Sequence, residues 1–261
     1  MNAAKKIQSF LQQQLSLSTF QILSESPSLT PFLKNLVEHP QVYTLPCADD
    51  MLCNTAVGMA ISGAHVLVCL SSEQSLTSIA ANLHEENYGA EFPLSLTFLV
   101  PSTEIIAQHQ LPHYVYCQTG GQLLAQCQTH VRTNKISVIC YNPAALFDSA
   151  QDSEAADSIV HSEGTHISIL ASGLHIDSAT SFAKQHPDVE VIELISLHPI
   201  CAEHPAKSIQ KTGRVLLLDV PTEVLNTIID SCFWSLEAQP EYTRNSDQSN
   251  LSRLRVRLLE A

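Results

Sequence analysis

Glycine is scarce in this chain, with eight residues in 261. None falls in a Gly-x-Gly-x-x-Gly fingerprint or a Gly-rich loop ending in Lys-Ser/Thr, so neither common nucleotide-phosphate cradle has support. Basic residues are also few: 13 Lys and Arg stand against 26 Asp and Glu, for a formal net charge of -13. Nucleic acid and anionic membrane both call for a clustered basic surface, so neither is expected as a partner. The one basic cluster, Arg253, Arg255 and Arg257, alternates along an expected C-terminal strand and reads as its solvated face. No apolar run has the length to span a bilayer. Gln12, Gln13 and Gln14 interrupt what would be the apolar core of a signal peptide after Lys5 and Lys6. The eight cysteines, at 47, 53, 69, 117, 127, 140, 201 and 232, show no two-residue spacing of a zinc or redox motif. Free, mostly buried thiols in a reducing cytoplasm are the simplest expectation. His109 and His113 lie four apart, but Pro112 between them argues against a shared metal-binding helical face.

What remains is an alternation of helices and strands. Ala3 to Leu15 has the apolar spacing of an amphipathic helix, with Ile7, Phe10, Leu11 and Leu15 on one face. A Ser/Pro loop from Ser24 to Thr30 and a short helix from Pro31 to His39 follow. Strands are expected at Val42 to Leu45, His65 to Leu70, Leu94 to Val100, Tyr114 to Cys117 and Ile136 to Tyr141. A helix capped by Asp49 or Asp50, and helices at Ser75 to Tyr88 and Gly121 to Val131, fall between them. Asp148 to Glu163 is rich in Ser, Asp, Glu and Ala and reads as a linker. The alternation then restarts, with strands at His166 to Ser172, Val189 to Leu194, Arg214 to Val220 and Leu254 to Leu259. Helices are expected at Asp177 to His186, Ala202 to Lys211 and Thr222 to Leu236. The predicted fold class is α/β in two domains, 1–147 and 164–261, joined by the linker 148–163. Each is a mainly parallel sheet flanked by helices.

The chain is organised around Pro46 to Cys69. Pro46 ends a strand, and Asp49 or Asp50 is placed to cap a helix at the positive end of its dipole. Small residues follow (Ala56, Gly58, Ala60, Ser62, Gly63), predicting a helix able to lie close against a neighbour. The order of Pro46, Asp49, Gly58, Gly63 and an apolar strand resembles the pyrimidine-binding domain of transketolase-like thiamine diphosphate enzymes. The nearest likeness is to the beta subunit of pyruvate and other 2-oxo acid dehydrogenases. A second stretch, Val189-Glu-Val-Ile-Glu-Leu-Ile-Ser-Leu-His-Pro-Ile and then Lys211-Thr-Gly-Arg-Val-Leu-Leu-Leu-Asp219, is similar to the C-terminal domain of the same subunits.

The resemblance implies a mechanism. In that family a glutamate of the pyrimidine-binding domain hydrogen-bonds N1′ of the cofactor's aminopyrimidine and favours its imino tautomer. Diphosphate and Mg2+ are held by a separate domain, which in these dehydrogenases lies on an alpha subunit. This chain has no candidate for that domain, so the resemblance implies an alpha-type partner and an oligomer. Carried over residue by residue, the glutamate falls on Asp49, one methylene short. The aromatic that stacks on the ring falls on Ser75, which has no stacking surface. A loop histidine falls on His109, in a segment from Pro101 to Leu111 that is shortened against the family. Asp49 and His109 are thus the implied catalytic residues, and Asp49 with Ser75 the implied cofactor contacts. The departures keep a second reading open, in which the chain is a catalytically degenerate structural or regulatory subunit with no cofactor bound. A third is a remnant of a transketolase-like or deoxyxylulose phosphate synthase-like enzyme.

Overall fold

A computed structural model describes residues 1–26, 30–45, 49–72, 94–103, 113–148, 155–220 and 222–261. They divide into two compact units, one running to Ala155 and the other from Ala156.

In the first unit, helix α1 (Ala3–Gln14) leads to β1 (Phe20–Ser24), β2 (Val42–Thr44), α2 (Asp49–Ile61) and β3 (His65–Cys69). Then come β4 (Ser95–Pro101), β5 (Tyr114–Cys117), α3 (Gly120–His130) and β6 (Ile136–Tyr141). The strands pair in the order β5-β6-β4-β3-β1-β2, all parallel. β3, β4 and β6 are short apolar runs buried on both faces, as a sheet covered by helices requires. Helix α2 turns Leu52, Cys53, Ala56, Val57 and Ala60 inward. Its one glycine, Gly58, makes no close approach among the described residues. Close approach occurs instead at Gly120, where a Cβ would collide with Ala3 Cβ and the Ala145 carbonyl. Thr119 and Gln122 form a capping box at that end of α3.

Two expectations for this unit are corrected. Residues 31–39 form successive turns, not a helix, with Leu33, Leu36 and His39 each donating to the carbonyl three residues back. Phe32, Leu33 and Leu36 are buried there, and this apolar spacing is what mimics a helix. Strand β1, which the sequence reading passed over, lies between β2 and β3.

The second unit contains β7 (Ser158–Ser162), β8 (Ile167–Ala171), α4 (Ile176–Gln185), β9 (Val189–Leu194), β10 (Ser196–His198) and α5 (Glu203–Thr212). It continues with β11 (Val215–Leu218), α6 (Thr222–Cys232), β12 (Glu241–Thr243) and α7 (Gln248–Glu260). Its sheet runs β12-β11-β8-β9-β7, parallel except for β7, which pairs antiparallel with β9. The expected linker 148–163 is therefore corrected, because its last part is this edge strand. An edge strand keeps one face in water, so its polar composition is compatible with pairing.

The expected strand Leu254 to Leu259 is likewise corrected to helix α7. Leu251, Leu254 and Leu258 lie at helical spacing and complete the core formed by Ile167, Ile169, Phe182 and Val191. Of the basic cluster, Arg253 and Arg257 are exposed on α7, and Arg255 is half-buried. Arg255 donates to both carboxylate oxygens of Asp188, at 3.0 and 2.9 Å, and Arg257 pairs with Glu241 at 3.1 Å. Burial pulls the Asp188 carboxyl upward most strongly of any one cause, but the Arg255 hydrogen bonds, a backbone hydrogen bond and the nearby positive charge together leave the group below its ordinary range.

The Lys211-Thr-Gly-Arg segment forms a buried polar seam between α5 and the sheet. Lys211 donates to buried Glu190. The Thr212 hydroxyl lies 2.7 Å from that of Ser168, which is 2.6 Å from that of Ser208. Gly213 takes a left-handed φ of 71°, ending α5 where a side chain would be strained and would meet Glu237. Arg214 donates to the Leu258 carbonyl at 2.8 Å and pairs with Glu237 at 2.6 Å. The motif thus acts as a structural clasp. Six of the described cysteines are buried and Cys201 is exposed. Burial pushes the Cys127 thiol up to about 12 and Cys69 higher still, so both are poor nucleophiles.

Candidate functional site at the carboxyl edge of the first sheet

Open parallel sheets bind ligands outside the carboxyl ends of their strands, where the chain's winding reverses. In the first unit the chain passes from β1 to β2 on one side and then to β3 on the other, so the reversal falls between β1 and β3. Their register pairs Ser24 with Cys69, and on the far side Ser24 with Thr44. The residues that emerge at this edge are Ser24 and Glu25 from β1, Ser71 beyond β3, and Asp49, which opens α2 after β2.

Glu25 is half-buried and accepts a hydrogen bond from the Ser71 hydroxyl, which ties together the ends of the two strands at the reversal. Ser24 is fully buried, and among the described residues its hydroxyl has no hydrogen-bond partner. The other buried hydroxyls on the strands of this sheet are engaged: Ser95 with His65 at 2.7 Å, Ser137 with His130 at 3.1 Å, and Thr97 with the His130 carbonyl at 3.3 Å. A buried, unpaired hydroxyl costs about 1–3 kcal/mol, so its position at a strand's carboxyl end marks the edge as incomplete by itself.

Of the residues predicted for the site, Asp49 is the first residue of α2 and shares its opening turn with Asp50. An acid there suits the helix dipole. Ser75 and His109 lie outside the described residues. Glu25 and Ser24 went unrecognised in the sequence because β1 did. The available signal was an acid immediately after an Ile-Leu pair, followed by the Ser/Pro loop.

The second unit has a similar edge. There the reversal falls between β8 and β11. Asp219 follows β11 with a left-handed φ of 53°. Its carboxylate lies 3.3 Å from His175 Nε2 and 3.4 Å from Arg244 Nε, and Arg244 also donates to the Tyr242 hydroxyl at 3.0 Å. Ser172 at the end of β8 donates to the Leu194 carbonyl at 2.7 Å. This edge is closed on itself. Among the described residues no group of three or more His, Cys, Asp or Glu is placed to hold a metal ion.

Two parallel-sheet units of this kind define a transketolase-like α/β fold, and comparison with solved structures agrees. A split-gene transketolase, described as an inactive beta4 tetramer, superposes with a TM-score of 0.71 at 12% identity, covering 92% of this chain and 86% of that one. The 2-oxoglutarate:ferredoxin oxidoreductase from Magnetococcus marinus, with 2-oxoglutarate, coenzyme A and succinyl-CoA bound, gives 0.67 at 8% identity, covering 99% and 65%. In sequence, the chain is 26% identical over 206 residues to a pyruvate dehydrogenase E1 component subunit beta from Staurastrum punctulatum. That match takes in 67% of this chain and 62% of the relative's length. No family profile matches the chain.

Proposed function

We propose that the chain is the beta-type component of a thiamine diphosphate-dependent 2-oxo acid dehydrogenase, working with an alpha-type partner that holds the diphosphate and its Mg2+. The observation that carries this reading is the carboxyl edge of the first sheet, where the Ser24 hydroxyl has no partner among the described residues, Ser71 holds Glu25, and Asp49 opens the helix that follows the adjacent strand β2. In donor chemistry these groups fit an aminopyrimidine, whose ring nitrogens and amino group need both an acidic acceptor and hydroxyl partners. When bound, the cofactor supplies the electron sink for decarboxylation. The chain's own part is to fix the ring and hold a proton at N1′, a role for Asp49. The shorter side chain costs reach, because a proton-sharing contact demands hydrogen-bond distance. His109 is the loop base in this reading, and Ser75 lines the ring's face without stacking on it.

One specific feature favours a second reading, a degenerate subunit that keeps the fold and the interface: Asp49 and Ser75 depart at the same site. The inactive beta4 assembly of the split-gene transketolase supports the idea that a beta-type chain by itself associates without activity. Calorimetric titration of thiamine diphosphate with Mg2+, with and without an alpha-type chain carrying a Gly-Asp-Gly motif, separates the two. Binding that requires the partner supports the dehydrogenase. No binding in either case removes the catalytic reading and leaves the degenerate subunit.

A further inference from the structure

We infer that Glu25, held by Ser71 and flanked by the Ser24 hydroxyl, is a second acidic contact for the aminopyrimidine ring, set one strand over from Asp49. This rests on the thiamine diphosphate reading and assigns residues to it that the family likeness does not.

Position comes first. β1 and β2 are adjacent parallel strands, so Glu25 at the end of one and Asp49 after the other occupy the same edge. Glu25 carries the full glutamate length that the resemblance calls for and that Asp49 lacks. Glu25 also stands at the winding reversal itself, whereas Asp49 lies one strand outside it.

The second observation is independent of the carboxylate. Ser24 is fully buried, whereas Ser168, Ser172, Ser95 and Ser137 on comparable strands are all engaged in hydrogen bonds. Among the described residues that Ser24 hydroxyl is unused hydrogen-bonding capacity at the carboxyl edge. A ring nitrogen with an adjacent amino group offers it both an acceptor and a donor. Ser71 aims Glu25 by donating to one carboxylate oxygen, and the other oxygen is left to accept from the ring.

The test uses the full chain and thiamine, which carries the aminopyrimidine but no diphosphate, with oxythiamine, lacking the 4′-amino group, as comparison. Binding is followed by calorimetry and folding by urea denaturation. Glu25→Gln is expected to weaken thiamine at least tenfold and to erase any preference for thiamine over oxythiamine. Ser24→Ala is expected to weaken it about fivefold without lowering the urea midpoint. If thiamine binds and only Asp49→Asn weakens it, the second contact is overturned and the cofactor reading stands. If Glu25→Gln and Ser24→Ala bind as the parent does, Ser24 is satisfied by water alone and the inference fails. If the parent chain binds neither thiamine nor thiamine diphosphate with Mg2+, alone or with an alpha-type partner, both this inference and the reading beneath it fall.

Discussion

The two units use the same architecture and differ in how the buried polar groups of their central strands are satisfied, although Thr180 on α4 of the second also has a hydroxyl without a partner among the described residues. In the second, every buried polar side chain on the central strands has a partner from an adjoining element. Ser168 meets Ser208 and Thr212, Ser172 meets the Leu194 carbonyl, Glu190 meets Lys211, and Glu193 meets His161. Its carboxyl edge is likewise filled by Asp219, His175 and Arg244. In the first unit the hydroxyls deep in the sheet are paired, and the exception falls at the carboxyl edge, at Ser24 beside Glu25. Polar groups that lock a domain are mutually saturated; polar groups kept for a ligand are left with unused capacity. That contrast at the strand ends is what supports placing the proposed site in the first unit.

The contrast can be broken most directly at the clasp. Lys211→Met leaves the Glu190 carboxylate buried without its cation, and a loss of about 2–4 kcal/mol in urea denaturation is expected. An unchanged midpoint would mean that the carboxylate finds water and that the seam is not structural. Thr212→Val removes the hydroxyl that bridges Ser168 to α5, with an expected cost of about 1–3 kcal/mol. Ser24→Ala deletes the same kind of group at the other edge and is expected to be neutral or to stabilise the free chain by about 1 kcal/mol, because nothing is left unpaired. Opposite signs for these two hydroxyl deletions are the sharpest form of the comparison; equal costs would abolish it.

The sequence carried the architecture well where apolar runs were long and bounded. β3, β4, β6, β8, β9 and β11 were all legible because they are buried on both faces. It misled where two periods overlap. Arg253, Arg255 and Arg257 alternate with period two, while Leu251, Leu254 and Leu258 repeat at helical spacing, and burial of the leucines decided the outcome. β7 was masked by acidic and small residues, and its place in the sheet comes from long-range pairing with β9 that no local pattern announces. The site was half legible. Asp49 came from an ordered motif, but Glu25 depends on β1, five residues long and bracketed by Ser and Thr. The strand order that puts Glu25 at the winding reversal is a property of topology, and a single sequence does not display it.

The smallest expected effect tests whether the second unit's saturation extends to its edge strand. His161 Nε2 lies 2.8 Å from Glu193 Oε2, and this hydrogen bond raises the imidazole above its ordinary value despite partial burial, with Asp177 adding to the rise. A group whose folded-state value is raised contributes stability that is fully present below its unfolded value near 6.5 and is lost as the pH climbs through the folded value. The pair should therefore hold β7 to β9 more firmly at pH 5.5 than at pH 8.5. His161→Gln keeps the hydrogen-bonding length but removes the titration, so the gap in stability between parent and variant should shrink over that range. The change is expected to be at most about 1 kcal/mol, since the imidazole is partly open to solvent. Hydrogen exchange of the β7 amides reads it locally: protection should fall with rising pH in the parent, once intrinsic rates are corrected for, and stay level in the variant. A parent whose β7 protection is independent of pH would show that the strand is held by its backbone ladder alone and that Glu193 is satisfied without the imidazolium.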